Sequence, residues 1–448
     1  MTETEDLPIR RRVVAVAAMS IGSLMLMIDA SIASVVLPTI ASELGVEGAS
    51  TMLVVTVYQL TLAMTLLPLA AIGDRLGYRR LYQAGFVLHT VAAILCLFVN
   101  SLPALILVRG LQSLGAATAL AVAVAMLRTI YPPHRLGAGL ALNTIFNATG
   151  TALAPVLGGL VISFANWQWA FAAVAPLTLI SLALSRALPT PELRKHRFDL
   201  KGALLCALTF GLLIGGLEGA IHTSYLGLSL SALVLGCAAA WVLVRHEKSE
   251  PKPVLPVDLL ATRALGLATL ATFVGTTASM VVILYLPFRL QYGYGFSAGE
   301  IGGMMTAYAL ASVMFSPLAG VLSDRVHVPL LCTAGSLVGA LGMLSVAWLP
   351  EQPGYFDIAW RLWLCGVGFG FFFSPNARYL VGSAPRDRVA AAGSVFTTSR
   401  MLAMAISATL VASLLAMDLG NGPAPALVGA GLALLTAVLS AIGIRHKP

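Results

Sequence analysis

Residues 51–75 read TMLVVTVYQLTLAMTLLPLAAIGDR, an uncharged and mostly apolar run that ends abruptly on Gly73, Asp74 and Arg75. As a helix rising 1.5 Å per residue, 51–72 is long enough to cross a hydrocarbon layer about 30 Å thick. The charge pair then falls where the helix meets water. The arrangement returns: Ala70-Ala71-Ile72-Gly73-Asp74-Arg75 is answered by Gly320-Val321-Leu322-Ser323-Asp324-Arg325, again closing an apolar run.

Similar runs extend in both directions, and 58% of the 448 residues are hydrophobic against 10% charged, far below the roughly quarter-charged make-up of a soluble domain. The runs place spans at 13–37, 51–72, 82–99, 103–127, 138–163, 169–187, 201–221, 225–244, 264–287, 301–322, 328–349, 357–380, 389–416 and 424–444. This predicts an all-α polytopic membrane protein with fourteen transmembrane helices. Barrel strands are excluded because they are shorter and alternate in polarity. The stretches near 189–200 and 245–263 are short linkers rich in charge and proline, leaving no room for a sizeable soluble domain.

The Asp-Arg loop follows spans two and ten, eight apart, where a duplication of six-span halves would place it six apart. Two spans are therefore expected to be inserted. The division is an N-terminal six-helix bundle over 1–188, linkers with inserted spans seven and eight over 189–263, and a C-terminal six-helix bundle over 264–448.

The net charge is +8, yet its distribution does not point to nucleic acid. With the amino terminus in the cytoplasm, all but four of the 27 Lys and Arg lie in cytoplasmic segments or at their edges, the exceptions being Arg109, Arg289, Arg361 and Arg400. That asymmetry predicts cytoplasmic termini and an even number of spans. The five cysteines lack metal-like spacing, so they read as packing residues and no metal site is expected. The first apolar run is too long for a signal-peptide core.

Several segments fall into a recognisable order: Asp29-Ala30-Ser31-Ile32-Ala33-Ser34-Val35-Val36-Leu37-Pro38 in span one, Asp74-Arg75-Leu76-Gly77-Tyr78-Arg79-Arg80 after span two, and Arg109-Gly110-Leu111-Gln112-Ser113-Leu114-Gly115 in span four. Gly150-Thr151-Ala152-Leu153-Ala154-Pro155-Val156-Leu157-Gly158-Gly159 in span five and Phe198-Asp199-Leu200-Lys201-Gly202 before span seven complete the set. Together they resemble the major facilitator superfamily, specifically its fourteen-span drug:proton antiporters, over essentially the full length. The resemblance implies multidrug efflux driven by protons, with no cofactor. It also implies that the span-five helix, with Gly150, Pro155, Gly158 and Gly159, limits proton leak. Asp74, Arg75, Arg79 and Arg80 would latch the cytoplasmic face, with Asp324 and Arg325 as counterpart. The same glycines and Pro155 equally serve close packing and a kink.

Ionisable groups within the bilayer are the sharpest functional signal, because each costs at least about 2.5–3.5 kcal/mol at a helix centre. Asp29 and Arg109 are expected at similar depth, about 10 Å below the outer boundary at 1.5 Å per residue, and able to meet. Such a pair fits proton coupling, since its proton affinity would change with water access and pairing; a static ion pair is the alternative. Arg400, near Ser394, Thr397 and Thr398, either bonds those hydroxyls and backbone carbonyls or faces a cavity. Glu218 either reaches the headgroups or meets substrate, Arg289 and Arg361 are expected to snorkel outward, and His89 is the weakest relay candidate. No Gly-x-Ser-x-Gly, His-Glu-x-x-His or Walker loop is present, so neither an enzyme nor a built-in ATPase is expected. The expectation is a monomer in the bacterial plasma membrane that exports amphipathic, cationic small molecules. An endogenous metabolite or lipid is the alternative cargo, and a non-transporting receptor or scaffold the alternative class.

Overall fold

The computed structural model describes residues 8–131, 136–190, 199–221, 226–250, 257–385 and 388–444, and side chains within these except at a few positions, Asp74 among them. The described residues contain no strand, and fourteen helical segments are long and apolar enough to cross a membrane. The all-α, fourteen-span expectation is met.

The spans are Ile9–Leu44, Leu53–Leu76 preceded by a short Gly48–Thr51 helix, Tyr78–Leu95, Leu102–Ile130, Leu136–Phe164, and a sixth made of Gln168–Ala172 and Ala175–Leu184. Spans seven to fourteen are Leu200–Ile221, Leu226–Ser249, Arg263–Phe288, Ala298–Leu322, Val328–Ala347, Tyr355–Gly382, Val389–Ala416 and Ala424–Ile444. The side on which span one begins is called terminal here, and the opposite side distal.

Local sequence sets the helix ends. Pro103, Pro176 and Pro329 sit in first turns, where a missing N–H costs little. Ser297 and Glu300 form a reciprocal capping box at the start of span ten. Gly77, in the loop after span two, has φ 94°, a conformation for which glycine is the suitable residue. Span one, at 36 residues, is about 54 Å long and projects beyond a hydrocarbon layer.

Packing repeats with the sequence. Spans three and four, one and five, two and four, one and six, and three and six pair with each other, and the same pairings recur eight spans later. Span five packs on span ten, and span two on span thirteen. The eight-span shift exchanges these two contacts, as a twofold relation between the groups requires. Span seven packs on spans eight, two and thirteen, while span eight carries a broad apolar outer face including Leu228, Val234 and Trp241.

Towards the distal side one apolar core runs through both groups, from Val35, Leu37 and Trp167 to Leu286, Ile301 and Phe369. Towards the terminal side the cores are separate: Met19, Tyr82, Met126 and their neighbours in the first group, Leu265, Ala268, Leu380 and Ala392 in the second. The groups are thus joined distally. The Tyr292 hydroxyl donates to the Pro38 carbonyl at 2.6 Å, and a Cβ at Gly302 would lie 2.4 Å from the Pro155 carbonyl.

Candidate functional site: a buried ion cluster in the first group

The cluster exists because two helices approach unusually closely. A Cβ at Gly115 of span four would lie 2.5 Å from the backbone nitrogen of His89, and one at Gly85 of span three would lie 2.7 Å from the Gly115 carbonyl. Small residues permit such crossings in a membrane. The crossing sets His89 beside Gln112, and span one supplies Asp29 from the other flank.

Asp29, His89, Arg109 and Gln112 are all fully buried. Arg109 Nη1 donates to Asp29 Oδ1 at 2.7 Å and to Gln112 Oε1 at 2.8 Å, and Gln112 Nε2 donates to the same Asp29 Oδ1 at 2.9 Å. Arg109 Nη2 reaches the Asp29 carbonyl at 3.4 Å. The guanidinium also faces the rings of Tyr58 and Phe171, at 4.2 and 4.6 Å, a favourable site for a desolvated cation. Asp29 Oδ2 has no hydrogen-bond partner. It faces His89 Nε2, equally without a partner, at 4.0 Å. The sequence ranks His89 lowest and gives Gln112 no role of its own, whereas the structure places both in the cluster. Gly85, one turn before His89, and Gly115, one turn after Gln112, were the signals of a close crossing.

The span-five residues divide between two neighbours. Cβ atoms at Gly150 and Gly158 would meet the Leu24 carbonyl at 2.5 Å and Ile32 at 3.1 Å in span one, whereas Gly159 faces the Ala298 carbonyl of span ten at 2.7 Å. Pro155 and Gly159 therefore form the seam between the groups. A polar strip on this helix runs from Asn143, which donates to Ser23 at 2.7 Å, through Asn147 to Thr151.

The other predicted residues are more scattered. Arg400 lies by the rings of Phe373 and Phe396, at 5.6 and 5.8 Å, while the Thr397 hydroxyl is used on the Gly393 carbonyl; Ser394's side chain lies outside the described ones. Glu218 does not reach outward. It is buried and accepts a 2.5 Å hydrogen bond from Thr409 of span thirteen, because carboxylate burial there is offset by that donor. Arg289 does not snorkel either: it donates to the Val346 carbonyl at 3.1 Å from a π-turn after Pro287. Arg361 bonds Asp357 at 3.2 Å and the Trp348 carbonyl at 3.2 Å.

On the terminal face Asp324 pairs with Arg378 of its own group and Arg325 is exposed. Arg79 reaches the Leu188 carbonyl at 3.5 Å, and Arg75 and Arg80 are exposed. Asp74's side chain lies outside the described ones, as do Phe198, Arg135, Arg386, Arg445 and Lys447. Asp199 caps the Gly202 N–H at 2.8 Å and meets His246 at 2.9 Å, with Glu250 nearby, an arrangement that a helix cap with a histidine hydrogen bond explains.

Two groups of six spans exchanged by a twofold relation, joined on one side and holding buried charge inside one group, define a polytopic membrane transport protein. The chain belongs to the Major Facilitator Superfamily, whose family profile matches residues 19–408 and 267–448. It is 37% identical over 448 residues, 99% of this chain and 98% of the relative, to the uncharacterized transporter YebQ of Escherichia coli strain K12. It is 29% identical to the putative multidrug resistance protein MdtD of Citrobacter koseri (88% and 84% covered) and 28% identical to the riboflavin transporter RibZ of Clostridioides difficile (89% and 87%). Among solved structures, a POT family transporter in complex with 5-aminolevulinic acid aligns with TM-score 0.71 at 16% identity, covering 95% of each chain. An inward-facing bacterial homolog of the lysosomal transporter Spinster aligns with TM-score 0.67 at 15% identity, covering 97% of this chain and 96% of its own.

Proposed function

We propose that this transporter is a proton-coupled antiporter of the fourteen-span drug-efflux type, exporting amphipathic, cationic small molecules from the bacterial cytoplasm. The observation that carries the reading is the sealed Asp29–Arg109–Gln112 cluster, in which one carboxylate oxygen is fully bonded and the other has no partner. A buried ion pair is a poor source of stability, but it is suited to a group that gains and loses a proton as the cavity changes sides. The terminal side is assigned to the cytoplasm by the Lys/Arg asymmetry, so distal closure corresponds to an inward-facing state. Units 1–188 and 264–448 rock about the seam at Gly159 and Gly302, with spans seven and eight at the periphery. Asp74, Arg75, Arg79 and Arg80, with Asp324 and Arg325, are assigned to closing the terminal face in the other state.

The relative that transports riboflavin favours a second reading, export of a planar endogenous metabolite, for which Arg400 between Phe373 and Phe396 offers a cation and two rings. Purified protein in liposomes with an imposed pH difference is expected to accumulate ethidium on the acidic side. Uphill movement of riboflavin but not ethidium would transfer the assignment to the metabolite reading. Only downhill movement of both would overturn proton coupling.

A further inference from the structure

Asp29 Oδ2 and His89 Nε2 are both buried, both without a hydrogen-bond partner, and 4.0 Å apart. The tautomer of His89 follows from its other nitrogen. Nδ1 lies 3.1 Å from the Gln112 carbonyl oxygen, which can only accept, so Nδ1 carries the hydrogen and a neutral ring presents a lone pair at Nε2. Two lone pairs therefore face each other across 4.0 Å. Asp29 Oδ1 is already taken by Arg109 and Gln112, so an added proton finds its acceptors at Oδ2 and Nε2. Among the described residues the charged groups acting on His89 are Asp29 and Arg109, and Tyr58 and Cys96 lie against those two. Asp29 Oδ2 is the vacant acceptor 4.0 Å from the ring, and the Tyr58 hydroxyl, also without a partner, lies against Asp29.

We infer that the coupling proton is seated between Asp29 Oδ2 and His89 Nε2, making His89 a proton-binding residue of the transport cycle. This rests on the antiport reading of Asp29. Protonation of Nε2 turns the facing lone pairs into an N–H donor and a carboxylate acceptor, and closure by about 1.2 Å would give a charge-assisted hydrogen bond of ordinary length. The ring then donates at both nitrogens, to the Gln112 carbonyl and to Asp29, and the cluster changes from neutral to a single positive charge. Release to water on the other side restores the vacant pair. No bond other than N–H is made or broken.

The test uses the full-length chain in lipid nanodiscs, with protons as the probe. In a background where the six other histidines are replaced, the 15N resonances of His89 are expected to report Nδ1 protonated throughout. Nε2 should gain its proton over the pH range in which the protein takes up its proton. In His89→Gln the proton-uptake curve is expected to move toward acid by about one pH unit or more, a tenfold loss of proton affinity, because an amide N–H satisfies the carboxylate and no basic nitrogen remains. An Nε2 that stays bare through the uptake range, or an uptake curve of His89→Gln superimposable on wild type, would overturn the inference. If His89→Gln does not fold, the resonance measurement decides alone. Uphill transport retained by Asp29→Asn would instead place the coupling proton elsewhere and remove the role of Asp29 on which this inference rests.

Discussion

The two six-span groups share a scaffold but not its contents. At the register that lays Asp74 on Asp324, Tyr58 falls on Tyr308, Gly85 on Gly335, His89 on Gly339 and Asp29 on Ser279. The helix crossing is the same in both: a Cβ at Gly335 would lie 2.8 Å from the Gly368 carbonyl, and one at Gly368 would lie 2.2 Å from the Gly339 nitrogen, repeating Gly85, Gly115 and His89. Counting back from the crossing glycine, Arg109 corresponds to Leu362 and Gln112 to Cys365, both fully buried. Where the first group holds an ion cluster, the second has apolar packing and a neutral bond of 2.5 Å between Ser279 and Tyr308.

The contrast separates fold from function. The second group makes the same crossing without buried charge, so the scaffold does not require it. Taking ions out of water costs several kcal/mol each before pairing offsets it. At this crossing the first group therefore carries a cost its twin avoids, and the proposed proton coupling would account for it.

The largest test of this contrast is Asp29→Asn. With the membrane potential clamped at zero, a one-for-one exchange accumulates a monovalent cation about tenfold per pH unit, since one unit is 1.36 kcal/mol. Asp29→Asn is expected to abolish that accumulation in an ethidium flux assay while downhill movement persists, and Ser279→Ala to leave it unchanged. Wild-type accumulation by Asp29→Asn would place the coupling proton elsewhere, with Glu218 the next acidic group to examine.

Arg109→Leu imports the second group's residue and leaves a buried carboxylate without its cation, which is expected to cost about 3–5 kcal/mol. Leu362→Ala is expected to cost about 2–5 kcal/mol through a cavity while sparing coupling. Unfolding in detergent measures the stabilities, and flux distinguishes the two. Equal damage to coupling by both would erase the distinction between the groups.

A smaller effect is expected at the distal seam where the groups meet. Gly302→Ala places a Cβ where the Pro155 carbonyl stands, 2.4 Å away, and such overpacking costs about 1–3 kcal/mol. The joined state should lose population by roughly 5- to 150-fold. A cysteine at Ser163, which faces Gly299, should react faster with a membrane-impermeant thiol reagent from the distal side. Unchanged labelling would show that this seam does not govern opening.

The smallest effect is expected at the second group's surface pair. A hydrogen bond from Arg388 holds the Asp258 carboxyl below the usual carboxylate range. A lowered native value means the contribution is present above the unfolded value of about 3.9 and is lost as pH falls through the native value. Because the pair is solvent-exposed, Arg388→Gln should cost less than about 1 kcal/mol and slightly flatten the acid limb of a stability profile. A larger loss would mean that the second group also depends on charge.

Hydropathy alone located all fourteen spans, because a 30 Å apolar layer demands long uncharged helices whatever they pack against. Charge cost likewise made Asp29 and Arg109 stand out, since lone ions in a span are conspicuous before any neighbour is known. Three outcomes needed the tertiary structure: His89 joining Asp29, Glu218 turning in toward Thr409, and Asp324 choosing Arg378 over the span-two loop. Each depends on rotation of one helix against another. Close approach at Gly85 and Gly115 sets that rotation for His89, and hydropathy does not encode it. Span existence is a one-body property of each segment and the solvent around it. Which oxygen of Asp29 is satisfied and which stands open is a many-body property of three helices at once, and it was decided only when they packed.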